Sequence, residues 1–228
     1  MKPKREMIRC MFSEIAPRYD LLNRLLTLGS DQAWQRQACA LIKAPPGAVV
    51  LDVGGGTGDT AQAWLQEHPD TGRLVVADFA EPMLRIARRK LADQKMVSLV
   101  CCDALELPGC AGCFDVVMAG FAVRNFSNLD AGLQEMARLT RPGGQVLILE
   151  MCGNRAVWLA ELFRRYGVPL VGRVLTGHRH AYNYLAESTQ QFATPEQLKI
   201  ALERAGFRNI AWRHLTWRIA TAVWGTKP

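Results

Sequence analysis

Leu51-Asp52-Val53-Gly54-Gly55-Gly56-Thr57-Gly58-Asp59 is the stretch on which the fold turns. Residues 49–53 form a short apolar run, which reads as a buried strand, and a helical pattern follows over 60–68. Between them, glycines at 54, 56 and 58 let the backbone turn sharply and approach a ligand where a β-carbon would collide. A nicotinamide site would use G-x-G-x-x-G to hold a pyrophosphate. Here the pattern is D-x-G-x-G-x-G, with Asp52 two residues before the first glycine. An acid that close suits a ligand carrying an ammonium group.

Working outward, the alternation continues. Strands are expected over 74–77, 98–101, 116–119 and 146–149, and helices over 81–93 and 131–139. Arg141-Pro142-Gly143-Gly144 reads as the turn before the fifth strand. Strands alternating with helices imply parallel crossover units, so the fold class is α/β with a doubly wound, mostly parallel sheet. Two further strands, over 208–213 and 221–225, bring the count to seven, the last pair being antiparallel, after a helix over 195–205 closed by Gly206. Asp78 ends the second strand and Asp103 follows the third, in Cys102-Asp103-Ala104. A carboxylate at the first position can accept both ribose hydroxyls, and one at the second can accept from an adenine amino group. Three acids at the carboxyl edge of successive strands point to a nucleoside cofactor with an amino-acid moiety, S-adenosyl-L-methionine.

The flanks differ from this core. Residues 1–44 read as a helical N-terminal cap, with Met7, Met11 and Ile15 at spacing four and Ile8 and Phe12 filling the same face. A second helix is expected over 31–43, capped by Asp31 and stopped by Pro45-Pro46-Gly47. The expected organisation is one domain over 1–228, with a cofactor-binding core over 45–150 and substrate-side helices and final strands over 151–228. The net charge of +7 is dispersed, without aromatic residues interleaved as a base-stacking platform, so no nucleic-acid partner is expected. No apolar run approaches the roughly 18 residues of a bilayer span, and no secretory signal is read, so a cytoplasmic protein is expected. Seven cysteines, an odd number, fit reduced thiols. Cys110 and Cys113 form a C-x-x-C pair without the second pair or nearby histidines of a zinc site, so no metal is expected.

Residues 51–59, Asp78 and the turn at 141–144 resemble motifs of the class I methyltransferases. A narrower resemblance covers nearly the whole chain: the sequence is similar to the quinone-ring C-methyltransferases of menaquinone and ubiquinone biosynthesis. It is carried by Phe12-Ser13-Glu14-Ile15-Ala16-Pro17-Arg18-Tyr19-Asp20, Leu22-Asn23, Leu28-Gly29, Gly55-Gly56-Thr57-Gly58-Asp59 and Phe121-Ala122-Val123-Arg124-Asn125. Tyr182-Asn183-Tyr184-Leu185-Ala186-Glu187-Ser188, Phe192 and Gly225-Thr226-Lys227-Pro228 add to it. Ala122 stands where the family usually has glycine, and Trp217-Arg218 replaces a usual glycine pair. The resemblance implies C-methylation of a prenylated hydroquinone. Asp52, Gly54, Gly56, Thr57, Gly58, Asp78, Asp103, Ala104 and Gly120 are the expected cofactor contacts.

For that reaction Arg124 is the candidate to stabilise a developing phenolate, since arginine stays protonated and serves poorly as a base. Asn125 can bond a ring oxygen, and Tyr19 and Tyr182 are candidate pocket walls. His178 and His180 flank the last of these and can move a proton. Trp158, Leu162, Phe163 and Tyr166, with Arg164 and Arg165, form an apolar face suited to peripheral contact with the inner face of a membrane. A homodimer is kept open. Alternatives are a methyltransferase of another small molecule or of nucleic acid, and a cofactor-binding sensor without turnover. The nucleic-acid reading lacks an Asn/Asp-Pro-Pro-aromatic motif after the fourth strand and a Pro-Cys nucleophile.

Overall fold

The computed structural model describes residues 4–152, 188 and 192–228. The chain opens with α1 (Lys4–Ile15), a 3-10 turn at Ala16–Arg18, α2 (Tyr19–Thr27) and α3 (Ser30–Cys39). In α1 the inward face is Ile8 and Phe12, continued by Ala16 one turn later, and it packs on Ala80 and Met83. Met7 is instead exposed. α3 begins a residue before Asp31 and ends at Cys39, ahead of the prolines. Asp31 is not its cap: left-handed Gly29 precedes the helix, and buried Asp31 receives the Thr27 hydroxyl at 2.8 Å.

The core is β1 (Val49–Val53), α4 (Asp59–Glu67), β2 (Arg73–Asp78), α5 (Glu81–Lys90), β3 (Val97–Cys101), β4 (Phe114–Gly120), α6 (Leu129–Leu139) and β5 (Thr140–Glu150). Among the described residues the next helix, α7 (Pro195–Ala205), is followed by β6 (Arg208–Leu215) and β7 (Ala220–Thr226). α7 starts at a reciprocal cap between Thr194 and Gln197 and ends at left-handed Gly206. The sheet has seven strands in the order β3-β2-β1-β4-β5-β7-β6. β7 runs antiparallel to both its neighbours, and every other pairing is parallel. β5 is longer than expected: Thr140 already pairs with Phe114, and an irregularity between Phe114 and Val116 absorbs the Pro-Gly-Gly segment.

Both faces of the central strands are covered, which is why they are continuous apolar runs. Val50, Leu74, Val76, Val116 and Met118 pack against Trp34 of α3 and Trp64 of α4. Leu51, Val53, Val117 and Ala119 pack against Leu133 and Met136 of α6 and Leu198 and Leu202 of α7. In the β6–β7 hairpin Thr216, Trp217 and Arg218 have φ of 36°, 49° and 69°. Left-handed backbone of this kind is what glycines adopt without strain. Because β2 and β4 flank β1, the chain changes winding direction at the carboxyl end of β1, where open α/β sheets bind ligands. Among the described residues no helix is long and apolar enough to cross a membrane.

Candidate cofactor and substrate cavity

A cavity opens at that point. Its floor is the loop after β1, through Val53, Gly54 and Gly56, and its sides are Asp78 and Phe79 after β2 and Cys102, Asp103 and Ala104 after β3. Gly120, Phe121, Ala122 and Asn125 close it from the β4 end, and Phe12 and Tyr19 of the N-terminal helices also line it. The glycine loop is as tight as its sequence implies. Gly54, Gly56 and Gly58 have φ of +66°, +55° and +87°. A β-carbon on Gly54 would stand 2.5 Å from the Ala122 β-carbon, and one on Gly120 would strike the Thr60 hydroxyl. Gly58 is the residue before α4, aiming that helix's amino end along the loop.

The three acids sit in three different environments. Asp78 is buried and accepts from the Gly56 amide at 2.9 Å and the Ala80 amide at 2.8 Å, one per carboxylate oxygen. Each oxygen retains a second acceptor direction for a ribose hydroxyl. Burial pushes its pKa up to about 6 against the pull of those amides. Asp103 accepts from the Leu105 amide at 2.9 Å through one oxygen and pairs with Arg5 of α1 at 2.5 Å through the other. Asp52 lies beneath the loop rather than on the cavity wall, fully buried. Neither of its oxygens meets a hydrogen-bond partner among the described residues. Burial, then the charge of Asp78, pushes its pKa up to about 8, while the nearby Ala61 amide pulls weakly the other way. An orphaned buried carboxylate below a glycine cradle fits a cationic ligand that brings its own charge. The chemistry of the site therefore suits S-adenosylmethionine: the negative field of a buried acid beneath the loop for the ammonium, Asp78 on the wall for the ribose, and apolar faces at Phe79 and Leu107 for the base.

Thr57 and Gly58 are buried below the loop rather than on the wall. The Thr57 hydroxyl donates to Asp20 of α2 at 2.5 Å. Lys90, at the end of α5, donates to the other Asp20 oxygen at 2.8 Å and also pairs with Asp59. This bridge ties the N-terminal helices to the glycine loop. The sequence reading missed it: Asp20 and Asp59 belong to quoted motifs, but nothing local marks Lys90 as their partner.

Tyr19 lines the cavity edge-on to Phe12, with ring centroids 5.9 Å apart. Burial raises its pKa, opposed by a hydrogen bond to Asn23 and by the charge of Arg124. Asn125 lines the cavity and donates to the Phe121 carbonyl at 3.4 Å. Arg124 is buried just behind that wall, paired with fully buried Glu150 at the end of β5, and its guanidinium carbon lies 5.9 Å from the Phe121 ring centroid. Glu150 was not singled out from sequence; a strand-ending acid after an apolar run was its only signal. Tyr182, His178, His180 and the apolar face at Trp158, Leu162, Phe163 and Tyr166 lie outside the described residues.

Residues 1–227 match the ubiE/COQ5 methyltransferase family. Among curated relatives, a demethylmenaquinone methyltransferase of Thermus thermophilus is 42% identical over 96% of this chain and 100% of its own. A ubiquinone/menaquinone biosynthesis C-methyltransferase UbiE of Geobacter sulfurreducens is 37% identical over 98% of this chain and 90% of its own. In fold the chain is similar to the methyltransferase in a complex with the Haloferax volcanii Trm112 activator, at a TM-score of 0.72 and 18% identity over 95% and 97% of the two chains. It is also similar to an S-adenosylmethionine-dependent methyltransferase of Thermotoga maritima, at 0.69 and 17% over 96% and 98%.

Proposed function

The chain belongs to the ubiE/COQ5 methyltransferase family, and we propose that it C-methylates a prenylated hydroquinone, demethylmenaquinol first, using S-adenosylmethionine. The observation that carries this is the 42% identity to a demethylmenaquinone methyltransferase along that protein's whole length. In this reading residues 1–228 act as one domain: 1–44 cap the cavity, 45–150 bind the cofactor and 151–228 face the substrate. S-adenosylmethionine supplies an electrophilic methyl group when bound. Asp78 accepts its ribose hydroxyls, while Asp52 and Asp78 supply the negative field for its cationic moiety. Asp103 and Ala104 flank the base. Tyr19 and Asn125 orient the ring oxygens. Arg124, held in place by Glu150, steadies the negative charge that develops on the ring oxygen as its proton leaves. Loss of that proton to solvent would raise electron density on the neighbouring carbon, which would take the methyl group as its bond to sulfur breaks and a neutral thioether leaves. The carbon's own hydrogen would then pass to solvent as a proton and restore the aromatic ring, whereas an oxidised quinone ring has neither the hydroxyl proton nor the density. No covalent protein intermediate is required, so positioning and electrostatics carry the rate.

The substrate's tail requires contact with a lipid surface. Leu21 and Leu25 support this: they stand one turn apart on the outer face of α2, each 53% exposed, and Leu28, just past the helix end, is 93% exposed, with Arg18 and Arg24 exposed beside them. One anaerobic assay tests the whole reading. Methyl transfer is compared on short-tailed demethylmenaquinol in buffer, on the same ring with its full tail in anionic vesicles, on a benzoquinol analogue, and on each ring oxidised. Transfer to reduced rings alone is expected, with Leu25→Ser slowing only the vesicle-borne reaction. Equal rates on oxidised and reduced rings would refute the phenolate step, and cofactor binding without turnover on any quinol would favour a sensor.

A further inference from the structure

Cys110 and Cys113 are not used by the cavity, yet they are arranged as a pair. Ala111 and Gly112 are the central residues of the turn between them. Gly112 has φ +71°, the left-handed value that the third position of a type II turn requires. Such a turn brings its first and fourth α-carbons within about 7 Å. A disulfide spans α-carbons about 4.4–6.8 Å apart. The Cys113 sulfur folds back along the chain, since a β-carbon on Gly109 would sit 3.4 Å from it. Both thiols are exposed and free. Arg138 of α6 donates to the Gly109 carbonyl at 3.0 Å and to that of Leu107, a cavity-wall residue, at 2.9 Å. Its guanidinium is held protonated first by Glu135. Among the described residues no third cysteine, histidine or acid joins them as a metal-binding group.

We propose that Cys110 and Cys113 are a redox-active dithiol that closes reversibly to an intramolecular disulfide by exchange with a small-molecule disulfide. One cysteine loses its proton and its thiolate attacks a sulfur of the small disulfide, whose S–S bond breaks and releases one small thiolate. The second cysteine, also deprotonated, attacks the protein sulfur of the mixed disulfide and expels the other small thiolate. The protein gives up two electrons and two protons, and the small disulfide becomes two thiols. The turn makes the second step intramolecular, which separates this pair from Cys101, equally exposed but without a partner at turn spacing.

The test uses the full chain in oxidised glutathione, quenched in acid, alkylated, digested and weighed. The peptide carrying both cysteines should lose two hydrogens and take neither alkyl label nor glutathione, while Cys101 carries glutathione. Excess reduced glutathione should restore both labels. In Cys110→Ser, Cys113 should stall as the glutathione mixed disulfide, with cofactor affinity unchanged as the control for folding. Glutathione retained on Cys110 or Cys113 of the parent chain would overturn the proposal. So would full alkylation of both under conditions that modify Cys101, or a covalent dimer through either residue. One zinc ion per two chains, released to a chromogenic chelator and blocking alkylation, would replace it with a shared metal site.

Discussion

At the glycine loop Asp78 meets backbone amides and Asp52 meets no hydrogen-bond partner among the described residues, whereas behind the opposite wall Arg124 and Glu150 meet each other. Asp78 holds the loop through two amides at the cleft, and Asp52 lies beneath the loop with no hydrogen-bond partner among the described residues. The Arg124–Glu150 pair is close to neutral as a unit and is buried among side chains. The first arrangement costs stability when no ligand is present and offers charge to one. The second holds the fold together as long as both members are there. The difference teaches where a mutation's effect should appear: in ligand affinity on the loop side, in folding behind the wall.

The largest effect is expected from Glu150→Ala. It strands a buried guanidinium, and breaking such a pair typically costs about 3–5 kcal/mol. Thermal unfolding should show it as a large loss of melting temperature in the ligand-free chain. Adding Arg124→Met should recover much of that loss, because the uncompensated charge goes with it. A single variant melting within a degree or two of the parent would mean that the pair does not support the fold. Gly54→Ala comes next, and should act on the other side of the comparison. The new β-carbon lies 2.5 Å from that of Ala122, on a backbone with φ +66°. Left-handed strain of about 1–2 kcal/mol and overpacking of about 1–3 kcal/mol distort the loop. Calorimetry should find cofactor affinity lost or nearly so. Restoring space with Ala122→Gly should recover part of it. Unchanged affinity in Gly54→Ala would break the assignment of the loop.

The same contrast explains what could be read from sequence. The strand, glycines and helix of residues 49–68 are written in adjacent residues, and period and turn chemistry are local properties. Asp78 and Asp103 were legible because each ends a predicted strand, and parallel topology fixes where strands end. Glu150 and Lys90 were not, because what matters about them is a partner: Glu150 meets a residue 26 positions away, and Lys90 one that is 70 positions away. Asp31 misled for a related reason. A cap residue and a first-turn residue have the same composition, and only the left-handed Gly29 and the Thr27 hydroxyl distinguish them. Trp217-Arg218 was legible as a departure but not as strained backbone, because a non-glycine sequence does not announce positive φ.

A third test titrates the loop side. Asp52 and Asp78 have folded pKa values raised to about 8 and about 6, above an unfolded carboxylate near 4. Between about pH 4 and 8 the folded chain therefore holds protons that the unfolded chain has released, and the stability of the ligand-free chain falls as pH rises through that window. Above about pH 8 the loss is complete and the curve is flat. A cationic ligand favours the ionised acids, so binding should release up to about one proton at pH 7. Affinity should rise by at most about tenfold, or about 1.4 kcal/mol, per pH unit between about pH 6 and 8. Calorimetry in buffers of different ionisation enthalpy counts the protons. In Asp52→Asn the release should nearly vanish, and ligand-free stability should become less dependent on pH. Undiminished proton release in that variant would move the titration to another group.

The smallest effect separates the cap from both sides. Lys90 bridges Asp20 of α2 and Asp59 of α4, and its side chain is 17% exposed, so water screens part of the attraction. Lys90→Met keeps most of the aliphatic stem and removes the charge, leaving two carboxylates facing one hydroxyl. Loss of a partly exposed bridge of this kind is expected to cost about 0.5–1 kcal/mol, more at low salt than at high. A change that small barely moves the melting temperature of a chain this size. It should be visible locally, because the cap is joined to the loop through Asp20 and Thr57. Hydrogen exchange should quicken in the amides of α2 while those of β1 and β4 keep the parent rates. Lys90→Arg, which preserves the charge, should restore most of the protection. Cofactor affinity should fall modestly in Lys90→Met, through a looser Thr57 rather than a lost ligand contact. If α2 kept its protection and only β1 and β4 loosened, Lys90 would belong to the core and not to the cap, and the bridge would have to be counted with Arg124–Glu150 as part of what folds the chain.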